Sequence, residues 1–242
     1  MKILLYDIET APLEARTFSL RTDFIPHCNI VKDWFIICGA WKWLGDNAIY
    51  STRCADIGDD YRCVAALRRA VDEADVIVHH NGDKFDIKKL NARVIYHGMK
   101  PFKKPAMVDT LKAARKEFAF TSNRLDYLGR HLLDDGKIET SNLWNRVMDR
   151  EAGSIDEMLR YNRQDVLLLE KVYLKMRPFM TTHPNMTIAK DLDRDSCPRC
   201  GGSLMRDGWR YTNNGRYQQY ECGSCGHKPR GRKQMNNTLT TS

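Results

Sequence analysis

Lys2-Ile3-Leu4-Leu5-Tyr6-Asp7-Ile8-Glu9-Thr10 opens the chain with a short apolar run that ends in two acids one residue apart. The run is too short for a signal sequence or a membrane span, and residues 2–7 read as a buried strand. Side chains alternate along a strand, so Asp7 and Glu9 project to one face. Carboxylates held this close repel each other unless a cation lies between them, and oxygen ligands of this kind suit Mg²⁺ or Mn²⁺. Taken alone, Asp-x-Glu also describes a solvated strand end.

Outward from that strand, residues 34–43 and 48–51 read as two further strands joined at Gly45-Asp46, and residues 62–74 have helical spacing. A buried strand at 76–78, a helix at 85–97 and a strand at 106–108 follow, then a helix opened by Asp109 or Thr110. The last helix, 155–176, starts at a Ser154-x-x-Glu157 capping box and carries Met158, Leu169, Val172 and Met176 on its apolar stripe. Strands first and then helices around a mixed sheet make this an α/β fold. Trp41 and Trp43 share one strand face and read as packing.

Two more acidic segments stand out. His80-Asn81-Gly82-Asp83-Lys84-Phe85-Asp86 is a glycine turn into a helix whose first turn holds Asp86, which could equally be a helix-dipole acid. In the last helix Tyr161 and Asp165 are four residues apart and share a face, as a surface pair or a core tyrosine would also do. In conjunction, Asp7-Ile8-Glu9, Asn81-x-x-x-Phe85-Asp86 and Tyr161-x-x-x-Asp165 resemble the three motifs of the DnaQ-like 3′-5′ exonucleases, over about residues 1–176. The tyrosine marks the DEDDy subclass, as in the proofreading domains of DNA polymerases; the position where the DEDDh subclass has histidine is Arg160 here.

The resemblance implies a ribonuclease H-like fold, a five-stranded mixed sheet flanked by helices. It implies that Asp7, Glu9 and Asp165 hold one divalent ion, that Asp7 and Asp86 hold a second, and that Tyr161 orients the attacking water. A phenol of ordinary pKa about 10 is a poor general base at neutral pH, so the four acids rank above it. Asn81 and Phe85 match positions that contact the terminal nucleotide in that family, with a turn amide and a core aromatic as the alternatives. Asp109 reads as a helix cap, and Arg124 and Lys137 as phosphate contacts or solvated charge.

The 242 residues carry a formal charge of +8, of which +6 falls after residue 196, an asymmetry that fits an appended nucleic-acid-binding piece. There, Cys197-x-x-Cys200 and Cys222-x-x-Cys225, each followed by glycine, resemble a zinc ribbon with one structural Zn²⁺. Cys28, Cys38, Cys54 and Cys63 have no ligand spacing and read as free thiols. Asn213-Asn214-Gly215 is a hairpin turn between segments in which aromatics and arginines alternate, and Arg210, Tyr211, Arg216 and Tyr217 are the expected nucleic-acid contacts.

The expected organisation is a nuclease domain at 1–177, a linker at 178–196, the ribbon at 197–233 and a disordered tail at 234–242. About 46 residues beyond the linker leave no room for a polymerase, so the expectation is a free-standing nuclease or a subunit. No targeting segment is legible, which predicts a cytoplasmic protein whose partner is DNA before RNA, together with replication or repair proteins. An RNA-trimming nuclease of the same fold and a non-catalytic adaptor are the competing functions. The four acids argue against the adaptor, which would have no use for a repulsive cluster.

Overall fold

The computed structural model describes residues 1–136, 140–188 and 195–236. Strand β1 (Ile3–Thr10) is followed by β2 (Glu14–Ala15) and β3 (Ile30–Lys32), which pair only with each other, and then by β4 (Ile36–Trp43) and β5 (Ile49–Arg53). After helix α1 (Tyr61–Glu73) come β6 (Val76–His79), α2 (Asp86–Tyr96), β7 (Ala106–Asp109) and α3 (Thr110–Glu117). Helices α4 (Leu125–Leu133), α5 (Leu143–Met148) and α6 (Ser154–Met176) complete the body. Its sheet has the order β5-β4-β1-β6-β7, antiparallel on the β4 side of β1 and parallel on the β6 side, which is the expected five-stranded mixed sheet.

The alternation of β1 sorts its side chains between two cores. Ile3 and Leu5 join Val166, Leu169, Val172 and Met176 of α6, whereas Leu4, Tyr6 and Ile8 join Val64, Leu67 and Val71 of α1 and Leu90 and Val94 of α2. Each fully buried leucine or isoleucine contributes about 1.5–3 kcal/mol. Gly39 of β4 lets α1 approach closely, because a Cβ there would lie 2.6 Å from Leu67 Cδ2. By the same parity Asp7 and Glu9 face α6. Pairing with β6 covers only Ile3 to Leu5, so the two acids lie past it, in the crevice at the carboxyl ends of the strands where the sheet switches direction.

Asp60 ties both helices of the second layer to the sheet. Fully buried, it accepts hydrogen bonds from Arg93 Nε and Nη2 at 2.7 and 2.6 Å and from Ile36 N at 2.9 Å, and His97 Nε2 lies 2.6 Å away. Burial pushes this carboxyl up, but Arg93, the Ile36 N–H and His97 outweigh it and hold the group below the usual carboxylate range.

The start of α6 departs from the sequence pattern. The capping box expected at Ser154 and Glu157 does not form; Gly153, at φ +80°, turns the chain, and Ser154 is the first helical residue, its hydroxyl donating to Glu151 O at 2.7 Å. Glu157 pairs with Arg146 at 2.9 Å. The stripe Met158, Leu169, Val172 and Met176 is buried as expected.

After α6 the described part of 178–196 packs on the body. Met180 and Met186 enter the core beside α6, and His183 stacks on Tyr173 and accepts its hydroxyl proton at 2.7 Å. Burial holds His183 down at about 4, so it is neutral. Arg199 donates to the carbonyls of His183 and Thr181, and His227 Nδ1 donates to Pro178 O at 2.7 Å. These bonds seat a second, three-stranded sheet, β10-β9-β8, made of β8 (Leu204–Thr212), β9 (Gly215–Cys222) and β10 (Arg230–Gln234). The expected hairpin turn joins β8 to β9, with Thr212 paired to Gly215. Most of the tail at 234–242 lies outside the described residues, as does Lys137. Among the described residues no helix is long and apolar enough to cross a membrane.

Candidate active site

Asp7 and Glu9 of β1 and Asp165 of α6 offer carboxylate oxygens that all lie within 4.8 Å of one another. Asp7 and Glu9 are half-buried and Asp165 is buried. The sheet register brings two of them from one strand face, and the helix that covers this face supplies the third. Asn162, one turn before Asp165, adds a group the motifs do not single out: its Nδ2 donates to Asp7 Oδ2 at 2.6 Å. Its signal was in the sequence. Asn162 sits four residues after Met158 on the apolar stripe, where a polar side chain persists only with a partner. Hard oxygen donors gathered this closely fit Mg²⁺ or Mn²⁺.

Asp86 comes to the same crevice but does not join that cluster. In the first turn of α2 and buried, it accepts from Ile8 N at 3.2 Å, which fastens it to the strand between the two motif acids. Burial raises its carboxyl to about 7, against the lowering effect of the Ile8 and helical N–H groups and with a further push from Asp109.

The turn before Asp86 is braced from below. Asn81 takes φ +70°, and its N–H donates to Asp109 Oδ1 at 3.0 Å. The same oxygen caps α3 through Leu111 N and Lys112 N, the role expected for Asp109. Gly82 donates to Nδ1 of the fully buried His79 at 2.9 Å, and a Cβ on Gly82 would lie 2.5 Å from His79 Cγ. His79 Nε2 lies 3.0 Å from Asp83, which pairs with Lys112. Burial lowers the His79 pKa despite both acids. His79, Asp83 and Asp109 are thus committed to one another and to the turn.

Tyr161 packs edge-on against Trp144, with ring centroids 5.8 Å apart. Phe85 is exposed, not a core aromatic, with Lys89 over its ring. Asn81 and Arg124 line one cavity of about 630 Å³ with His80, Asn123 and Arg115. Arg210 and Tyr217 lie across from each other between β8 and β9, as do Tyr211 and Arg216, so the alternation divides the expected quartet between opposite faces of the sheet.

All four cysteine sulfurs of the C-terminal piece lie within 4.8 Å of one another. Cys197 and Cys225 are 3.8 Å apart and Cys200 and Cys222 3.5 Å, too far for disulfides and near the edge of about 3.8 Å of a tetrahedron with Zn–S bonds of about 2.3 Å. Arg199 N and Gly202 N point at the sulfurs of Cys197 and Cys200 at 3.4 and 3.3 Å, the partners a thiolate ligand requires. The donor set fits Zn²⁺. Cys28, Cys38, Cys54 and Cys63 are free thiols.

A family model described as RNase_H superfamily matches residues 32–177, a span that includes Asp86 and Asp165. Among solved structures, the family B DNA polymerase from the hyperthermophilic archaeon Pyrobaculum calidifontis is similar with a TM-score of 0.52 at 18% identity, over 74% of this chain and 25% of that one. That likeness is one of fold, and this chain spans about a quarter of the polymerase's length. No curated protein sequence matches.

Proposed function

The chain belongs to the RNase H superfamily, and from that premise we propose a divalent-metal-dependent 3′-5′ exonuclease of the DnaQ-like DEDDy type, acting on single-stranded DNA or DNA ends. The observation that carries the reading is the convergence of Asp7, Glu9 and Asp165 within 4.8 Å, with Asp86 bound to the backbone between the first two. Asp7, Glu9 and Asp165 would hold one Mg²⁺ or Mn²⁺, and Asp7 with Asp86 a second. When bound, such a pair of ions supplies a more acidic water and charge stabilisation for a leaving 3′-oxygen.

The chain's own groups do the positioning. Asn162 holds the Asp7 carboxylate toward α6, and the Asp109 and His79 brace fixes the turn that delivers Asp86. Tyr161, one turn before Asp165, is the phenol assigned to a water at the phosphorus, and Asn81, Phe85 and Arg124 receive the terminal nucleotides. Asn81 and Arg124 share a cavity wall with Arg115, which supports phosphate contacts there. Residues 1–177 form the nuclease unit and 197–233 a zinc ribbon on Cys197, Cys200, Cys222 and Cys225 that adds nucleic-acid affinity. RNA is the alternative substrate, because the motif residues carry no sugar preference.

The test is Mg²⁺- or Mn²⁺-dependent cleavage of a labelled oligonucleotide by the wild type, by Asp7→Ala and by Asp86→Ala. Loss of cleavage in both variants with unchanged circular dichroism is expected. Full activity in either refutes the assignment.

A further inference from the structure

The ribbon sheet has two chemically different faces. Residues directly opposite in an antiparallel pair share a face, so the pairs Tyr211 with Arg216, Trp209 with Gln218 and Arg206 with Tyr220 all belong to one side. Arg206 and Trp209 are three residues apart, and a bulge between them, with Gly208 at φ +73°, keeps both on that side. Gln218 Nε2 holds the bulge through Gly208 O at 2.8 Å. On this face Tyr211 is 71% and Trp209 42% exposed, and the Arg216 guanidinium lies 4.5 Å from the Trp209 ring centre.

The other face carries Arg210, Tyr217, Gln219 and Glu221. Gln219 is buried, and Arg230 covers the half-buried Tyr217 ring at 4.1 Å. Beyond residue 196 the only two acids are Asp207 and Glu221, and Lys228 binds both, at 2.8 and 3.3 Å. This internal clamp leaves the arginines uncompensated: among the described residues neither Arg206 nor Arg216 forms an ion pair, and Arg216 Nε is buried without an acceptor.

We propose, on the nuclease reading above, that the face bearing Arg206, Trp209, Tyr211 and Arg216 is a stacking platform for an unpaired nucleic-acid strand. Exposed rings beside unpaired guanidinium groups match what such a strand offers, base faces at regular intervals along a line of phosphates. A duplex hides its base faces, so the platform selects single-stranded substrate for the acids around Asp7. Trp209 and Arg206 thereby replace Arg210 and Tyr217 as ribbon contacts.

The experiment measures fluorescence anisotropy of labelled oligo(dT) of about 15 nucleotides, and of an abasic strand with the same phosphates, on the full chain carrying Asp7→Ala, with no chelator. Trp209→Ala with Tyr211→Ala should weaken oligo(dT) binding about tenfold or more and leave abasic binding unchanged, whereas Trp209→Phe should retain most of the affinity. Arg206→Ala with Arg216→Ala should lower the slope of log affinity against log salt by roughly 1.4. Tyr217→Leu, which removes a ring from the other face, should change neither, and bound zinc should equal that of the parent in every variant. Equal losses on abasic strand, equal loss in Tyr217→Leu, or no loss in the double variant would overturn the assignment. If the wild type cleaves nothing yet these losses appear, the nuclease reading fails and the platform stands; cleavage without the losses refutes the platform alone.

Discussion

Replacing Asp165 by asparagine should stabilise the protein in the absence of divalent cations and abolish its stabilisation by them. Asp165 lies within 4.8 Å of both Asp7 and Glu9. At an effective dielectric constant of about 20, each such pair repels by about 3.5 kcal/mol. Asp7 and Glu9 are half-exposed, so screening reduces the gain from removing one charge to about 1–3 kcal/mol in total. For a chain of this size each kcal/mol moves the melting temperature by about 2–4 °C, giving a rise of about 2–12 °C for the metal-free variant. In the wild type, an ion at about a hundred times its dissociation constant adds about 2.7 kcal/mol, or about 5–11 °C. The assay is thermal melting of both proteins with Mn²⁺ titrated in and no chelator present. A variant that melts below the wild type without Mn²⁺, yet gains as much from Mn²⁺, would refute the placement of a cation among these three carboxylates.

Gly82→Ala should lower the melting temperature and the cleavage rate together, because the new Cβ meets His79 Cγ at 2.5 Å and the turn that carries Asp86 must move; wild-type values for both would contradict the brace. Asp60→Asn leaves Arg93 buried without its anion and should cost about 3–5 kcal/mol in urea unfolding at neutral pH. The folded Asp60 carboxyl sits below its ordinary value, so its contribution is present above the unfolded pKa and is lost as pH falls through the folded one; the gap to Asp60→Asn should close below about pH 4, and a constant gap would refute the linkage. Removing zinc should expose the amides of Leu204–Thr212 and Gly215–Cys222 to hydrogen exchange while those of Ile3–Thr10 stay protected, and protection throughout would show that the cysteines need no metal.

How legible each feature was in the sequence follows from the range of the interaction behind it. The face shared by Asp7 and Glu9 needs only the two-residue period of a strand, and the stripe of α6 only the helical period. The hydrogen bond from Ile8 to Asp86 spans 78 residues, and no local pattern announces it. At Ser154 a local signature misled, since Gly153 in the left-handed region used the turn geometry that a capping box would need. In β8, alternation alone divides Arg210 from Tyr211, but the bulge that aligns Arg206 with Trp209 had only Gly208 as a sign. The packing of Met180, His183 and Met186 was masked by the polar residues around them.

Most direct is a time course on single-stranded DNA labelled at the 5′ end, and in parallel at the 3′ end, with Mg²⁺, with Mn²⁺ and with neither. A ladder that shortens step by step in the 5′-labelled lanes, with immediate release of labelled mononucleotide from the 3′ end, dependence on the ion and absence in Asp7→Ala, is the expected result. Internal cuts that appear in both labelled strands from the first time points, or an intact substrate in every lane, would contradict a 3′-5′ exonuclease.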